Sequence, residues 1–108
     1  MTTYEIIPIH ECIRASEKGS PYWFSRDTKN FFRSRWDNVA YRPIASAFAY
    51  FISSEKCGDD RERRYTIRRI NMFDGNIGEP QLKNEIFEFQ HWPDKKHALK
   101  ALKEFLKQ

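Results

Sequence analysis

Five side chains of the kinds that ligate transition metals occur in this chain: His10, Cys12, Cys57, His91 and His97. None stands in a CxxC, HxxxH or HExxH spacing, the patterns that bring two ligands to one ion from a single segment. His10 and Cys12 are two apart, and on a helix that spacing turns them to different faces. The expectation is therefore no metal and no cofactor, with Cys12 a small core residue and the histidines at the surface. Cys57 is the best-placed nucleophile, since Lys56 and Arg61 could depress its pKa. Asp59 and Asp60 oppose that effect, and no histidine adjoins it. Ser20, Ser53 and Ser54 lack the strand-turn-helix context of an activated serine. The four glycines are isolated, which leaves no phosphate-cradling loop. No enzymatic activity is expected from these residues.

What remains is basic and aromatic. Arg61, Arg63, Arg64, Arg68 and Arg69 fall within nine positions, the last four of them on one candidate strand. On a strand, Arg64 and Arg68 point one way and Arg63 and Arg69 the other, unless a bulge intervenes. Arginine suits planar contact with phosphate, carboxylate or aromatic faces. Tyr22, Trp23, Tyr41 and Tyr65 supply rings, and such a mixture can grip a single nucleic-acid strand by stacking and phosphate pairing. The same arginines could instead pair across strands with Glu55, Glu62, Glu85 and Glu88. The run Tyr22-Trp23-Phe24, with Phe31, Phe32 and Trp36, also has two readings. It is either core or an exposed anchor for a partner protein, since Tyr, Trp and Arg dominate interface centres. The candidate partner-binding residues are Arg61, Arg63, Arg64, Arg68, Arg69, Tyr22 and Trp23.

Composition narrows the setting. The 19 basic and 15 acidic residues leave a net charge of +4, which permits a nucleic acid or an acidic protein as partner without demanding either. Two cysteines are too few for a disulfide scaffold and suggest free thiols in a reducing compartment. The first residues carry no basic stretch leading into an apolar run, so no leader is expected. No apolar segment approaches the roughly 20 residues that span a bilayer. A cytoplasmic protein without membrane contact, monomeric or a small homo-oligomer, is the expectation. Aromatic residues make up 16% of the chain, which argues for a folded interior.

The elements that would position these groups follow from periodicity and punctuation. Tyr4 to Ile7 is extended. A helix over 8–18 has Pro8 in its first turn and Gly19 as a left-handed stop. Ser25 caps a second helix over 26–36, on which Phe32 and Trp36 would be an i, i+4 pair. Residues 37–46 read as a loop. Residues 47–54 are apolar in both directions, as in a strand covered on both faces. Gly58-Asp59-Asp60 is a turn. The strand over 63–72 slips its period between Ile67 and Ile70, which suggests a bulge or twist. Asp74-Gly75 is another turn, and 85–92 is a further strand ended by Pro93. Asp94 caps the last helix, whose stripe is Ala98, Leu99, Leu102, Phe105 and Leu106. One α+β domain over 1–108 is expected, with an antiparallel sheet of three to four strands and helices packed on one face.

Three strings carry a resemblance. Tyr22-Trp23-Phe24-Ser25-x-Asp27-Thr28-x-x-Phe31-Phe32-x-Ser34-Arg35 is the first. Tyr50-Phe51-Ile52-Ser53-Ser54-Glu55-Lys56 and Arg63-Arg64-Tyr65-Thr66-Ile67-Arg68-Arg69 follow it. Over residues 21–108 the chain resembles a group of small bacterial and phage proteins that carry no established activity, and the segment before Ser20 looks particular to this chain. The resemblance implies a phage or mobile-element setting. Small proteins of that setting often bind a host protein or nucleoprotein complex, and inhibitors of CRISPR effectors and other defence nucleases are one such class. A direct nucleic-acid binder using the arginine-rich strand is the alternative.

Overall fold

The computed structural model describes residues 3–32, 34–56, 62–78, 80 and 91–107. Its elements in chain order are β1 (Tyr4–Pro8), α1 (Ile9–Ser16), α2 (Arg26–Phe32), β2 (Arg35–Trp36), β3 (Val39–Pro43), β4 (Phe48–Lys56), β5 (Arg63–Asn71), β6 (Ile77–Gly78), β7 (His91–Trp92) and α3 (Lys95–Leu106). All the described strands join one antiparallel sheet, ordered β1-β3-β4-β5-β6. The short strand β2 shares an edge of β4 with β3, and β7 shares an edge of β5 with β6. The α+β class and the antiparallel sheet are as expected, but the sheet has more strands than three to four.

β4 and β5 are the longest strands and pair over their full length, from Phe48 opposite Asn71 to Lys56 opposite Arg63. The register is continuous, so the period slip between Ile67 and Ile70 is not a bulge. The two isoleucines instead belong to opposite faces, each with its own core. Tyr50, Ile52, Ile67 and Trp92 pack beneath Ala98, Leu102 and Leu106 of α3. Ala49, Phe51 and Ile70 pack on the other face with Cys12 of α1, Trp23, Phe24 and Trp36. The two-sided covering expected of residues 47–54 is present, and for that reason the helices cannot all lie on one face. Each apolar face needs its own cover to leave water.

The expected loop over 37–46 contains β3, which pairs with β1 from Tyr4 opposite Pro43 to Pro8 opposite Val39. Its pattern was obscured because Ala40 and Tyr41 are both buried, one on each face. The second helix stops at Phe32 rather than running to residue 36. Trp36 lies on β2, so it is no helical partner of Phe32, whose side chain lies outside the described set. The turn at Gly58-Asp59-Asp60 lies outside the described residues, as does the strand expected over 85–92 except for its last two residues, which form β7.

Local signals place the helices. Pro8 is the extended N-cap of α1. The Ser25 hydroxyl accepts from the Thr28 amide at 3.1 Å and opens α2. Asp94 accepts from the His97 amide at 2.8 Å and opens α3. The last helix buries the expected stripe, with Leu99 and Phe105 packed at its margin. Its first turn is tied to the β2–β3 turn by an ion pair between Lys95 Nζ and Asp37 Oδ1 at 3.0 Å. Gly19 is not the left-handed stop expected of it, since the glycine with positive φ among the described residues is Gly75, at 77°. Gly19 is needed for another reason: a Cβ there would collide with the Asp74 carbonyl oxygen. The end of α1 thereby seats against the turn that follows β5.

Two cores on opposite faces of one strand predict nearly independent energetics. Ile67→Val and Ile70→Val should each cost about 0.5–1.5 kcal/mol. Because they share no core, the double variant should equal their sum to within about 0.5 kcal/mol. Urea unfolding checks this, and a larger coupling would mean that the two residues pack together.

Candidate functional site

The segment from Ser20 to Thr28 crosses the α1 face of the sheet, and its packing builds a cleft. Trp23 and Phe24 anchor it. Their ring centroids lie 4.8 Å apart, and each sits 5.4 Å from Phe51 of β4. Trp36 closes the cluster, 5.1 Å from Phe24 and 5.9 Å from Trp23. Edge-to-face contacts of this kind add to burial and hold the rings in fixed orientations. The Thr28 hydroxyl donates to the Tyr22 carbonyl and pins the turn above α2. With Trp23 held inward, its neighbour Tyr22 projects outward and is 78% exposed.

Beside Trp23 the sheet supplies a polar floor. Arg68 of β5 reaches across to β4, where its Nη2 lies 2.7 Å from Glu55 Oε1 and its Nε donates to Ser53 Oγ at 3.2 Å. Both partners of this ion pair are 18% exposed. The guanidinium carbon also lies 5.8 Å from the Trp23 ring centroid, a cation–π distance. Thr66 adds a weak hydroxyl contact to the same carboxylate oxygen. The result is a cleft of about 500 Å³ lined by Pro21, Tyr22, Trp23 and Thr28 on one side, and by Ser34, Glu55 and Arg68 on the other. Its walls are largely apolar, and its single cation is matched by its single carboxylate among the described lining residues. Such a cleft accepts an apolar or aromatic side chain with a polar edge better than it accepts a naked phosphate.

Of the expected binding residues, Tyr22, Trp23 and Arg68 meet in this cleft. The others do not. Arg63 lies on the α3 face, where its Nη1 donates to Ser54 Oγ at 2.9 Å. Arg69 lies on that face too, stacked 4.5 Å from the Phe48 ring centroid, and its charge partly offsets the burial that raises the Tyr50 pKa. The continuous register places Arg64 on the side of Arg68. Arg61 lies outside the described residues. The five arginines are therefore not one patch, because strand alternation divides those that are described. Cross-strand pairing with Glu55 is seen for Arg68. Tyr41 is core. Glu55, Ser34 and Thr28 complete the cleft, and their hint in the sequence was their place inside the quoted strings.

Cys12 is fully buried, and its thiol is pushed up to about 12, first by burial and then by the Glu11 charge, with Arg42 acting the other way. It is a core thiol. Cys57 lies outside the described residues. Among the described residues no cluster of three or more His, Cys, Asp or Glu side chains could hold a metal ion. No described helix is long and apolar enough to cross a membrane.

The chain belongs to a family of unknown function, DUF7447, whose model matches residues 8–103. The match begins upstream of the three quoted strings and includes α1, so most of the segment before Ser20 is not particular to this chain. No curated protein and no solved structure gives a match.

Two measurements test this arrangement. Glu55→Ala would remove the 2.7 Å carboxylate contact of the Arg68 guanidinium in a half-closed setting and should cost about 1–3 kcal/mol in urea unfolding. In a Cys57→Ser variant, Ellman's reagent at mildly alkaline pH should leave Cys12 unlabelled until denaturant is added. Rapid labelling of the native protein would show that the thiol is accessible after all.

Proposed function

We propose that this DUF7447 member works by binding rather than by catalysis. In this reading it is carried by a phage or other mobile element and occupies a surface of a host protein or nucleoprotein, with a defence nuclease as the target class. Steric block of an essential surface needs only a rigid, complementary face. The observation that carries this reading is the pairing of an exposed Tyr22 with a pre-formed cleft walled by Trp23 and floored by Arg68. Tyr, Trp and Arg are the residues that concentrate binding energy at protein interfaces.

Pre-organisation supports the same conclusion. Trp23 is held by three other rings, and Arg68 by Glu55 and Ser53, so neither loses much freedom when a partner docks. The balanced charge of the described lining residues favours a protein side chain as occupant.

Tyr22→Ala removes an exposed ring and should leave the melting temperature unchanged. It should weaken capture of the cognate partner from bacterial lysate by about 2 kcal/mol, roughly 30-fold in affinity. Quantitative pull-down with wild type and variant side by side measures this. Equal recovery of every partner by both proteins would remove the cleft from the interface.

A further inference from the structure

A second feature lies where α2, β2 and the ends of β4 and β5 meet. Lys56, the last residue of β4, is directly opposite Arg63, the first of β5. Like charges facing each other across strands are destabilising. Arg63 then bends toward β4 to donate to Ser54 Oγ at 2.9 Å. Ser54 is in turn the cross-strand partner of Arg35 on β2. Two guanidinium-bearing residues and an ammonium-bearing one are thus gathered near one serine, where β2 meets the ends of β4 and β5. Lys29 joins them from α2, with its Nζ 5.8 Å from the Trp36 ring centroid.

Together Lys29, Asn30, Ser34, Arg35, Lys56 and Arg63 line an open basin of about 370 Å³. Among the described lining residues four of six are cations, and none is an acid. Among the described residues, no carboxylate lies within ion-pair distance of Lys29, Arg35, Lys56 or Arg63. An adjoining hollow of about 230 Å³ shares Arg35 and Arg63 and adds Lys95, whose charge is already matched by Asp37 at 3.0 Å. A folded chain with a net charge of only +4 places in one basin four cations that no described carboxylate matches. That concentration is costly unless an anion occupies it.

We propose that this basin binds the phosphodiester backbone of a single nucleic-acid strand. Several cations around one open basin suit a chain of phosphates better than one isolated ion. Arg35 and Arg63 supply planar forks for phosphate oxygens, and Asn30 and Ser34 supply neutral hydrogen-bonding groups at the rim. A groove open at the surface admits a continuing chain, whereas a closed pocket would not. The basin uses Arg63 alone of the four described arginines in that run. It is distinct from the cleft, although Ser34 borders both.

Fluorescence anisotropy with short labelled oligothymidylate and oligouridylate tests the assignment. Either probe should bind at low salt, and the affinity should fall with a log–log slope of roughly −2 to −3, as expected for three to four neutralised phosphates on a single strand. The double variant Arg35→Glu/Lys56→Glu should lose at least about 10-fold in affinity. Lys103→Glu/Lys107→Glu makes the same charge change on exposed residues of α3 and at its C-cap, and should stay within about 2-fold. Lys56→Ala, a single truncation at an exposed strand end, gives a smaller loss if the double variant does not fold. The assignment is overturned if wild type fails to bind either probe at low salt. Equal weakening by both double variants would also overturn it, as would binding of poly-L-glutamate in preference to both oligonucleotides, which would indicate an acidic protein. Tyr22→Ala does not touch the basin and should leave oligonucleotide affinity unchanged, so the two sites succeed or fail separately.

Discussion

A strand that is apolar in both directions cannot leave either face in water. β4 is such a strand, with Tyr50 and Ile52 directed to one side and Ala49 and Phe51 to the other. The rest of the architecture answers that constraint. The amphipathic helix α3 covers the first face with Leu102 and Leu106. The second face is covered in a less regular way, by α1 and by a turn that lowers Trp23 and Phe24 onto Phe51. Burying side chains of this size contributes roughly 1.5–3 kcal/mol apiece before entropy is subtracted. Neither cover can be removed without exposing a whole face of the central strand.

The irregular cover is what creates a cleft. A helix laid over Phe51 would have filled the space above Arg68 with its own side chains. A turn held by two aromatic residues does not reach that far, so it leaves an opening between Trp23 and the Glu55–Arg68 pair. Since Trp23 is consumed in the core, its neighbour Tyr22 is necessarily turned out to solvent. Core formation and surface presentation are therefore the same event in this segment. The rings divide between the two tasks by position rather than by type.

Charge is sorted by the same sheet. Alternation along β5 sends Arg68 toward Glu55 on one face, and Arg63 and Arg69 to the other. On the first face the Arg68 cation is matched by Glu55, and the cleft wall beside it is largely apolar. On the other face Arg69 is absorbed by Phe48 and Tyr50, while Arg63 is left with Arg35 and Lys56, and Lys29 reaches the same basin from α2. A mild overall excess of positive charge thus becomes a balanced cleft and a strongly basic basin. Net charge alone could not have distinguished that arrangement from an evenly spread one.

Several features were legible in the residues. The helix over 95–106 declared itself through Asp94 and its apolar stripe, because capping and a 3.6-residue period are local properties. The two-sided burial of residues 47–54, the strand over 63–71 and the N-cap at Ser25 are equally local. β3 was missed because Ala40 and Tyr41 are both buried, which leaves no alternation to read in so short a segment. The expected bulge at Ile67–Ile70 was a misreading of the same kind, since a strand buried on both sides shows no clean period. Trp23 and Tyr22 could be nominated as binding residues, but their sequence does not say which of them is the anchor and which is exposed. That division, the joining of Glu55 to Arg68, and the gathering of Lys29, Arg35, Lys56 and Arg63 were decided only by the tertiary structure. The physical reason is that strand register, and nothing along the chain itself, determines which residues far apart in sequence share a face.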